Sequence, residues 1–139
     1  MRVVPQVIAA LKADATLTSL VADRIYADIP PQDDFRPMVV VTTVNGVAYG
    51  CLNNTPVRAY QSRLTLDSVA ESRALSEEIA ERVETILDGF ANTADPTHPI
   101  QGIVIDGHLE WVLLEPVDGS DQRGFLTSQD FMVNYRRTN

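Results

Sequence analysis

Residues 57–90, VRAYQSRLTLDSVAESRALSEEIAERVETILDGF, change their hydrophobic period part-way along. Up to Asp67 the pattern alternates, with Tyr60, Leu64 and Leu66 on one side and Gln61, Arg63, Thr65 and Asp67 on the other. A period of two belongs to a half-buried strand. Beyond it, Leu75, Ile79, Val83, Ile86 and Leu87 return every three or four residues, which makes one apolar stripe on a helix. Ser68 with Glu71 fits a capping box, and Gly89 is placed to end the helix in a left-handed turn. Burying the five stripe residues at ~1.5–3 kcal/mol each would anchor this helix to a sheet.

Working outward, Pro5 suits a first helical turn, and Val4, Val7, Ile8 and Leu11 follow at helical spacing. Leu17, Leu20 and Val21 predict a second, short helical turn. Residues 23–41, DRIYADIPPQDDFRPMVVV, then place a stiff acidic loop between two extended pieces. Arg24 to Asp28 is extended, because the Pro30-Pro31 pair cannot continue a helix. Met38 to Val44 is β-branched and apolar on both faces, as a central strand is. Asn45-Gly46 predicts a turn, with residues 47–56 as a long mobile hairpin loop. After a polar loop at 91–99, Ile103 to Ile105, Leu109 to Leu114 and Phe125 to Arg136 predict strands. Asp106-Gly107 would make a tight turn between the first two, and DGSDQRG, 118–124, a looser one before the last. The sum is one α+β domain over residues 1–139. Its mainly antiparallel sheet of about four to six strands carries two principal helices on one face.

At 139 residues and 45% hydrophobic composition, such a domain needs no metal or disulfide to fold. The single Cys51 cannot form an internal disulfide. The first residues read as a helix rather than a signal peptide, and no apolar run approaches the ~18 residues of a membrane span. The expectation is a soluble, intracellular protein. The net charge of −8 is uneven: residues 1–66 carry five acids and six bases, residues 67–139 fourteen acids and five bases. An acidic second half repels phosphate backbones, which argues against gripping nucleic acid but not against DNA sliding past.

Cys51, His98, His108 and Asp106 are the residues from which a thiol nucleophile, base and orienter could be drawn, but their spacing supports only loop and turn roles. No Cys or His pair sits at ligand spacing, and Asp118, Ser120 and Asp121 do not make the twelve-residue calcium loop. Neither catalytic, metal nor cofactor residues are therefore expected. Glu77, Glu78, Glu81, Glu84 and Asp88 crowd one side of the long helix. They read as a solvated face, partly offset by a Glu78–Arg82 pair; inside a ring of copies they would make a lumen that repels DNA. Arg24, Arg58, Arg63, Arg136 and Arg137 lie on or beside predicted strands, where they discourage stray pairing or bind the acidic half of a neighbouring copy.

Several residues in order resemble a family. Arg24-Ile25-Tyr26 is followed by Pro30, and Pro37 stands just before Val39 to Val41. Leu64-Thr65-Leu66-Asp67 precedes the helix through Ile79 and Leu87, and Asp130-Phe131-Met132-Val133-Asn134-Tyr135-Arg136 closes the chain. This outline resembles the tail-completion, or tail terminator, proteins of long-tailed bacteriophages and prophages. Arg36 and Met38 flank Pro37 where that family often has aromatics, and Asp23 stands where glycine is common. The resemblance implies a structural virion protein: a small α+β unit that assembles as a hexameric ring on the finished tail tube. There it stops tube polymerisation and docks to the head-tail connector protein. It further implies a place at the head-proximal end of the tail, reached from the host cytoplasm, with the tail tube protein as partner and DNA passing without specific binding. Arg24, Tyr26, Asp28, Asp33, Asp34, Phe35, Arg58, Arg63 and Arg136 are the expected contact residues, with Pro30, Pro31 and Pro37 holding the contact loop in order. A head-completion or neck adaptor, and a small cytosolic hydrolase, are the alternatives.

Overall fold

The period change within the 57–90 stretch is where the sheet hands over to the helix layer. The computed structural model describes residues 3–28, 37–49, 57–114 and 124–138. Its elements are α1 (Val3–Lys12), α2 (Ala15–Val21), β1 (Ile25–Ala27), β2 (Met38–Tyr49), β3 (Val57–Ala70), α3 (Arg73–Leu87), β4 (Ile100–Leu114) and β5 (Gly124–Thr138). The strands form one sheet in the order β1-β2-β3-β5-β4. All neighbours are antiparallel except β1 and β2, which run parallel with Ile25 beside Val39 and Ala27 beside Val41. The predicted α+β class, strand number and pair of principal helices, α1 and α3, are what the structure has.

The core follows from the alternation. Val39 and Val41 on β2, Leu64 and Leu66 on β3, Phe131 and Val133 on β5 and Ile103 on β4 all point to one face and are buried. Val3, Val7 and Leu11 of α1, Leu17 and Val21 of α2, and Ile79, Val83 and Leu87 of α3 close over them. Leu75 and Ile86, at the margins of the predicted stripe, are only half-buried. No helix among the described residues is long and apolar enough to cross a membrane.

Four local expectations are corrected. The alternation does not stop at Asp67, because β3 runs on through Ser68 and Ala70. Ser68 is thus a buried strand residue, and the helix is capped by Ser72, whose hydroxyl accepts from Leu75 N–H at 3.2 Å. Asn45-Gly46 and Asp106-Gly107 are not turns. Both lie inside long strands at register shifts, between Thr43 and Asn45 on β2 and between Ile105 and Gly107 on β4. One extra residue is absorbed as a bulge, and the ladder on either side outweighs the local turn preference. A Cβ at Gly46 would meet Ser62 Oγ at 3.2 Å, so a larger residue there would make Ser62 give by a few tenths of an ångström. Gly89 does have the expected left-handed conformation, φ 84°. Finally, the 91–99 segment, read only as a polar loop, is pinned: Asn92 pairs with Ile100, and Asp95 Oδ1 accepts from the N–H groups of Thr97 and His98. Of the hairpin loop expected at 47–56, residues 47–49 belong instead to β2, and the rest of it, with most of DGSDQRG, lies outside the described residues.

The helices are tied by charge as well as packing. Asp14 caps α2 by accepting from Leu17 N–H at 2.8 Å. The same carboxylate takes both prongs of the Arg82 guanidinium, at 3.1 Å and 2.5 Å, so Arg82 reaches across to α2 rather than to Glu78. The pair at i,i+4 that does form on α3 is Arg73–Glu77. The Arg82 hydrogen bond, with help from Leu17 N–H, holds the Asp14 carboxyl at about 2 against an ordinary 3.8. A depressed carboxyl contributes stability above its unfolded value and loses it as the pH falls towards the folded one. Asp14→Asn keeps a capping acceptor and removes the charge. It is expected to destabilise at neutral pH and to flatten the loss of stability between about pH 4 and pH 2. Urea midpoints across that range check it, and a slope matching the parent's would show that the Asp14 charge contributes nothing.

Candidate functional site and assembly surfaces

Parallel neighbours cannot be joined by a tight turn, so the chain must travel back along the sheet between β1 and β2. The acidic, proline-bearing stretch is that return. Arg24 closes its base: its Nε donates to Pro37 carbonyl at 2.7 Å, and its carbonyl accepts from Val39 N–H at 3.0 Å. At the other side of the base, Asp28 adopts φ 62° while its N–H donates to Val41 carbonyl at 2.9 Å. A left-handed conformation is uncommon for a residue with a side chain. Tyr26 sits half-buried on β1 beside Val40. Asp33, Asp34 and Phe35 lie outside the described residues.

The face of the sheet opposite the helices is polar. Arg63 on β3 reaches Asp106 on β4 at 2.6 Å and Asp130 on β5 at 3.4 Å. The bulge at Asp106 turns that carboxylate towards Arg63 while Ile105 keeps to the core side. Thr65 donates to the other oxygen of Asp130 at 2.7 Å, and Gln61 Nε2 to Asn134 Oδ1 at 3.1 Å. Asp67 belongs to the same face. Partial burial, with the Asp130 charge nearby, pushes its carboxyl above the ordinary value against an opposing hydrogen bond from Ser128. Strand alternation marked Gln61, Arg63, Thr65 and Asp67 as the wet side, but it could not show that Asp106 and Asp130 come to meet them.

On the other layer, Glu77, Glu78 and Glu81 of α3 are exposed and Glu84 is half-exposed, as a solvated strip should be. Arg136 and Arg137 are exposed near the end of β5, and the β5 register places Arg137 opposite Arg58 of β3. Near that end Tyr60 and Tyr135 stack at 5.4 Å, and His98 lies against Tyr135 at 6.2 Å. The sequence also missed an open, mostly apolar groove of about 510 Å³, where Val4, Pro5 and Ile8 of α1 face the end of β1 and Thr43 of β2. Its signal was the second apolar strip on α1 formed by Val4, Pro5 and Ile8.

Among the described residues, the members of the possible nucleophile set have other engagements. Asp106 is engaged by Arg63, His98 sits in the 91–99 turn with its Nδ1 3.0 Å from Thr97 Oγ1, and Cys51 lies outside the described residues. His108 stands on β4 opposite Gln129. Among the described residues no three His, Cys, Asp or Glu side chains gather to hold a metal ion. What the geometry offers is surfaces: a polar sheet face, an acidic helix strip, an arginine-bearing end and an apolar groove.

Residues 5–123 match the family model described as "Tail completion protein gp17". The chain belongs to this tail completion family. No curated protein matches the sequence. Among solved structures, a chain of the virion of a native gene transfer agent particle is similar in fold, with a TM-score of 0.65 at 16% identity, covering 94% of this chain and 91% of that one. Membership of a tail completion family makes the protein a structural component of a phage-type virion and points away from an enzyme. The wet sheet face and acidic strip are accordingly surfaces of a part that fits against other parts.

Proposed function

We propose that copies of this chain close into a ring, hexameric as the resemblance implies, at the head-proximal end of the finished tail tube. The ring, assembled in the host cytoplasm, stops addition of tube protein and presents the surface that receives the head-tail connector protein. Family membership supports the tail role, and the gene transfer agent virion supplies a likeness of fold.

The observation that carries the ring geometry is the sheet face that none of the described helices covers. Helices add a layer roughly 10 Å thick on the other side, so copies set side by side are wider there and the bare face turns inward. The inward face then presents Gln61, Thr65 and Asp130, with Arg63 already neutralised within the chain. Such a surface, in a protein of net charge −8, lets a phosphate backbone pass without holding it. Glu77, Glu78, Glu81 and Glu84, the lumen candidates of the sequence, line the outer wall in this arrangement. Arg24 and Arg63 serve as internal braces. Tyr26, Asp28, Asp33, Asp34 and Phe35 on the loop side, and Arg58 and Arg136 at the far end of β3 and β5, are left for tube and connector.

Electron microscopy of purified tail tubes with and without the protein tests the reading. One end of each tube is expected to be capped and closed to added tube protein. Tubes that stay open and keep growing would overturn it, and binding to the connector alone would favour a neck adaptor. The lumen assignment is tested on assembled rings. Gln61→Lys with Thr65→Lys is expected to make them retain DNA. Retention by Glu78→Lys with Glu81→Lys instead would put α3 inside.

A further inference from the structure

We infer that the end of the sheet where β3 starts and β5 finishes docks an acidic protein surface of a virion neighbour, gripped by Arg136 and Arg137. This rests on the ring reading above and adds to it the chemistry of one partner.

The way the chain uses its arginines sets these two apart. Arg24 donates to the Pro37 carbonyl, Arg63 meets Asp106 and Asp130, Arg73 meets Glu77, and Arg82 forks onto Asp14. Arg136 and Arg137 are exposed and make no ion pair or side-chain hydrogen bond among the described residues. The chain has 19 acids, yet none stands in the rungs that end here: Val57 to Tyr60 on β3, Tyr135 to Thr138 on β5 and Ile100 to Gly102 on β4. The register instead puts Arg137 opposite Arg58, and like charges directly opposite each other weaken a sheet. Asp95, in the turn before β4, is engaged within that turn by the Thr97 and His98 N–H groups. Asp88 accepts from Ile105 N–H, and Ile105 pairs with Phe131, well up the sheet from Arg136.

The two arginines stand on a fixed mount. Arg136 N–H donates to the Pro99 carbonyl at 3.0 Å, so β5 is held from the β4 side at this rung. Next to them in the chain, Tyr135 stacks with Tyr60 at 5.4 Å and with His98 at 6.2 Å. Alternation sends Arg136 to the face bare of helices and Arg137 to the other, so the pair straddles the sheet's end. A guanidinium presented from fixed backbone loses less freedom on binding, and its planar fork matches the two oxygens of a carboxylate. Arginine and tyrosine are also the residue types that carry most binding energy at protein interfaces. Duplex DNA is the other polyanion at hand, but two free cations on a chain of net charge −8 neutralise too few phosphates to hold it. In the ring reading the α3 strip of another copy faces outward, which leaves an acidic surface on a virion neighbour as the occupant.

The test is charge reversal in the full chain, Arg136→Glu with Arg137→Glu. It is read by microscopy of rings and by binding to purified tail tubes and to purified head-tail connector protein, at low and at high salt. Rings and thermal melting are expected to match the parent's. Binding to one of the two partners should be about tenfold weaker at low salt, with the difference fading at high salt. Arg136→Lys with Arg137→Lys, which keeps the charge, should lose clearly less. Unchanged or equally weakened binding to both partners, or an equal loss from the lysine pair, would overturn the inference and leave the ring reading standing. A stably folded reversed chain that no longer forms rings would also overturn it, because the arginines would then lie between copies. So would retention of duplex DNA by the parent that the reversal abolishes. A parent that neither forms rings nor caps tubes would remove both readings.

Discussion

Phe131→Ala is expected to lower the unfolding free energy by about 3–5 kcal/mol, the range for removing a large aromatic from a core that cannot fully collapse. Phe131 is fully buried on β5, between Leu64 of β3 and Ile105 of β4 in the register. It is thus the side chain that joins three strands beneath the helices. Domains of this kind hold roughly 5–15 kcal/mol in total, so the loss is a large share of what there is. Phe131→Leu, which keeps most of the volume, is expected to cost about 1 kcal/mol. Val104→Ala, at a half-exposed site, should stay within about 0.5 kcal/mol. Urea unfolding of the three proteins checks the order. A Phe131→Ala loss no larger than that of Val104→Ala would mean that the sheet is not clamped at this point.

Arg63→Ala should be the most damaging change on the polar face, at about 1–2 kcal/mol near neutral pH. It leaves Asp106 and Asp130 facing each other with no cation between them, and Asp67 already carries a raised carboxyl beside Asp130. Repulsion among ionised carboxylates fades as they protonate, so the deficit is expected to shrink as the pH falls to about 4. Arg63→Lys should recover part of it, since an ammonium can meet one carboxylate but cannot fork to two on different strands. Urea midpoints at the two pH values decide the matter. An equal deficit at both would assign the loss to the arginine stem rather than its charge.

The faces of β3 and α3 were legible in the sequence, though the boundary between the two elements was not. Alternation placed the buried and wet faces of β3, and the three-and-four spacing placed the buried side of α3, because each pattern is local and strong. What the sequence hid was whatever two distant segments decide together. Asn45-Gly46 and Asp106-Gly107 carry turn chemistry, yet long ladders to β3 and β5 hold them extended with a bulge. Arg82 has Glu78 four residues away, yet a capping carboxylate from another helix offers it two oxygens in the plane of its fork. The Ser68 cap failed for a readable reason: Leu64, Leu66, Ser68 and Ala70 continue the alternation, with small residues where α3 starts. The parallel pairing of β1 with β2 had no local signature, although the length of the acidic connection is what a return path requires. On the assembly surfaces, the wet side of β3 was visible, but the meeting of Arg63 with Asp106 and Asp130 depends on the order of three strands.

Small polar side chains also lie where α3 begins. Ser76 Oγ lies 2.9 Å from Ser68 carbonyl and 2.7 Å from Thr127 Oγ1, and Gln129 Nε2 donates to Ala80 carbonyl at 3.1 Å, all of them buried. Ser68 Oγ and Gln129 Oε1 there have no partner among the described residues. Ile79, Val83 and Leu87 repeat every four residues, so the greasy side of the helix alone would tolerate sliding by one turn, about 5.4 Å. The hydroxyls and amide would not, because a slide strands every one of them at once. They act as an index mark rather than as glue, and they fix within ångströms where the far tip of α3, with Asp88 upon it, comes to rest.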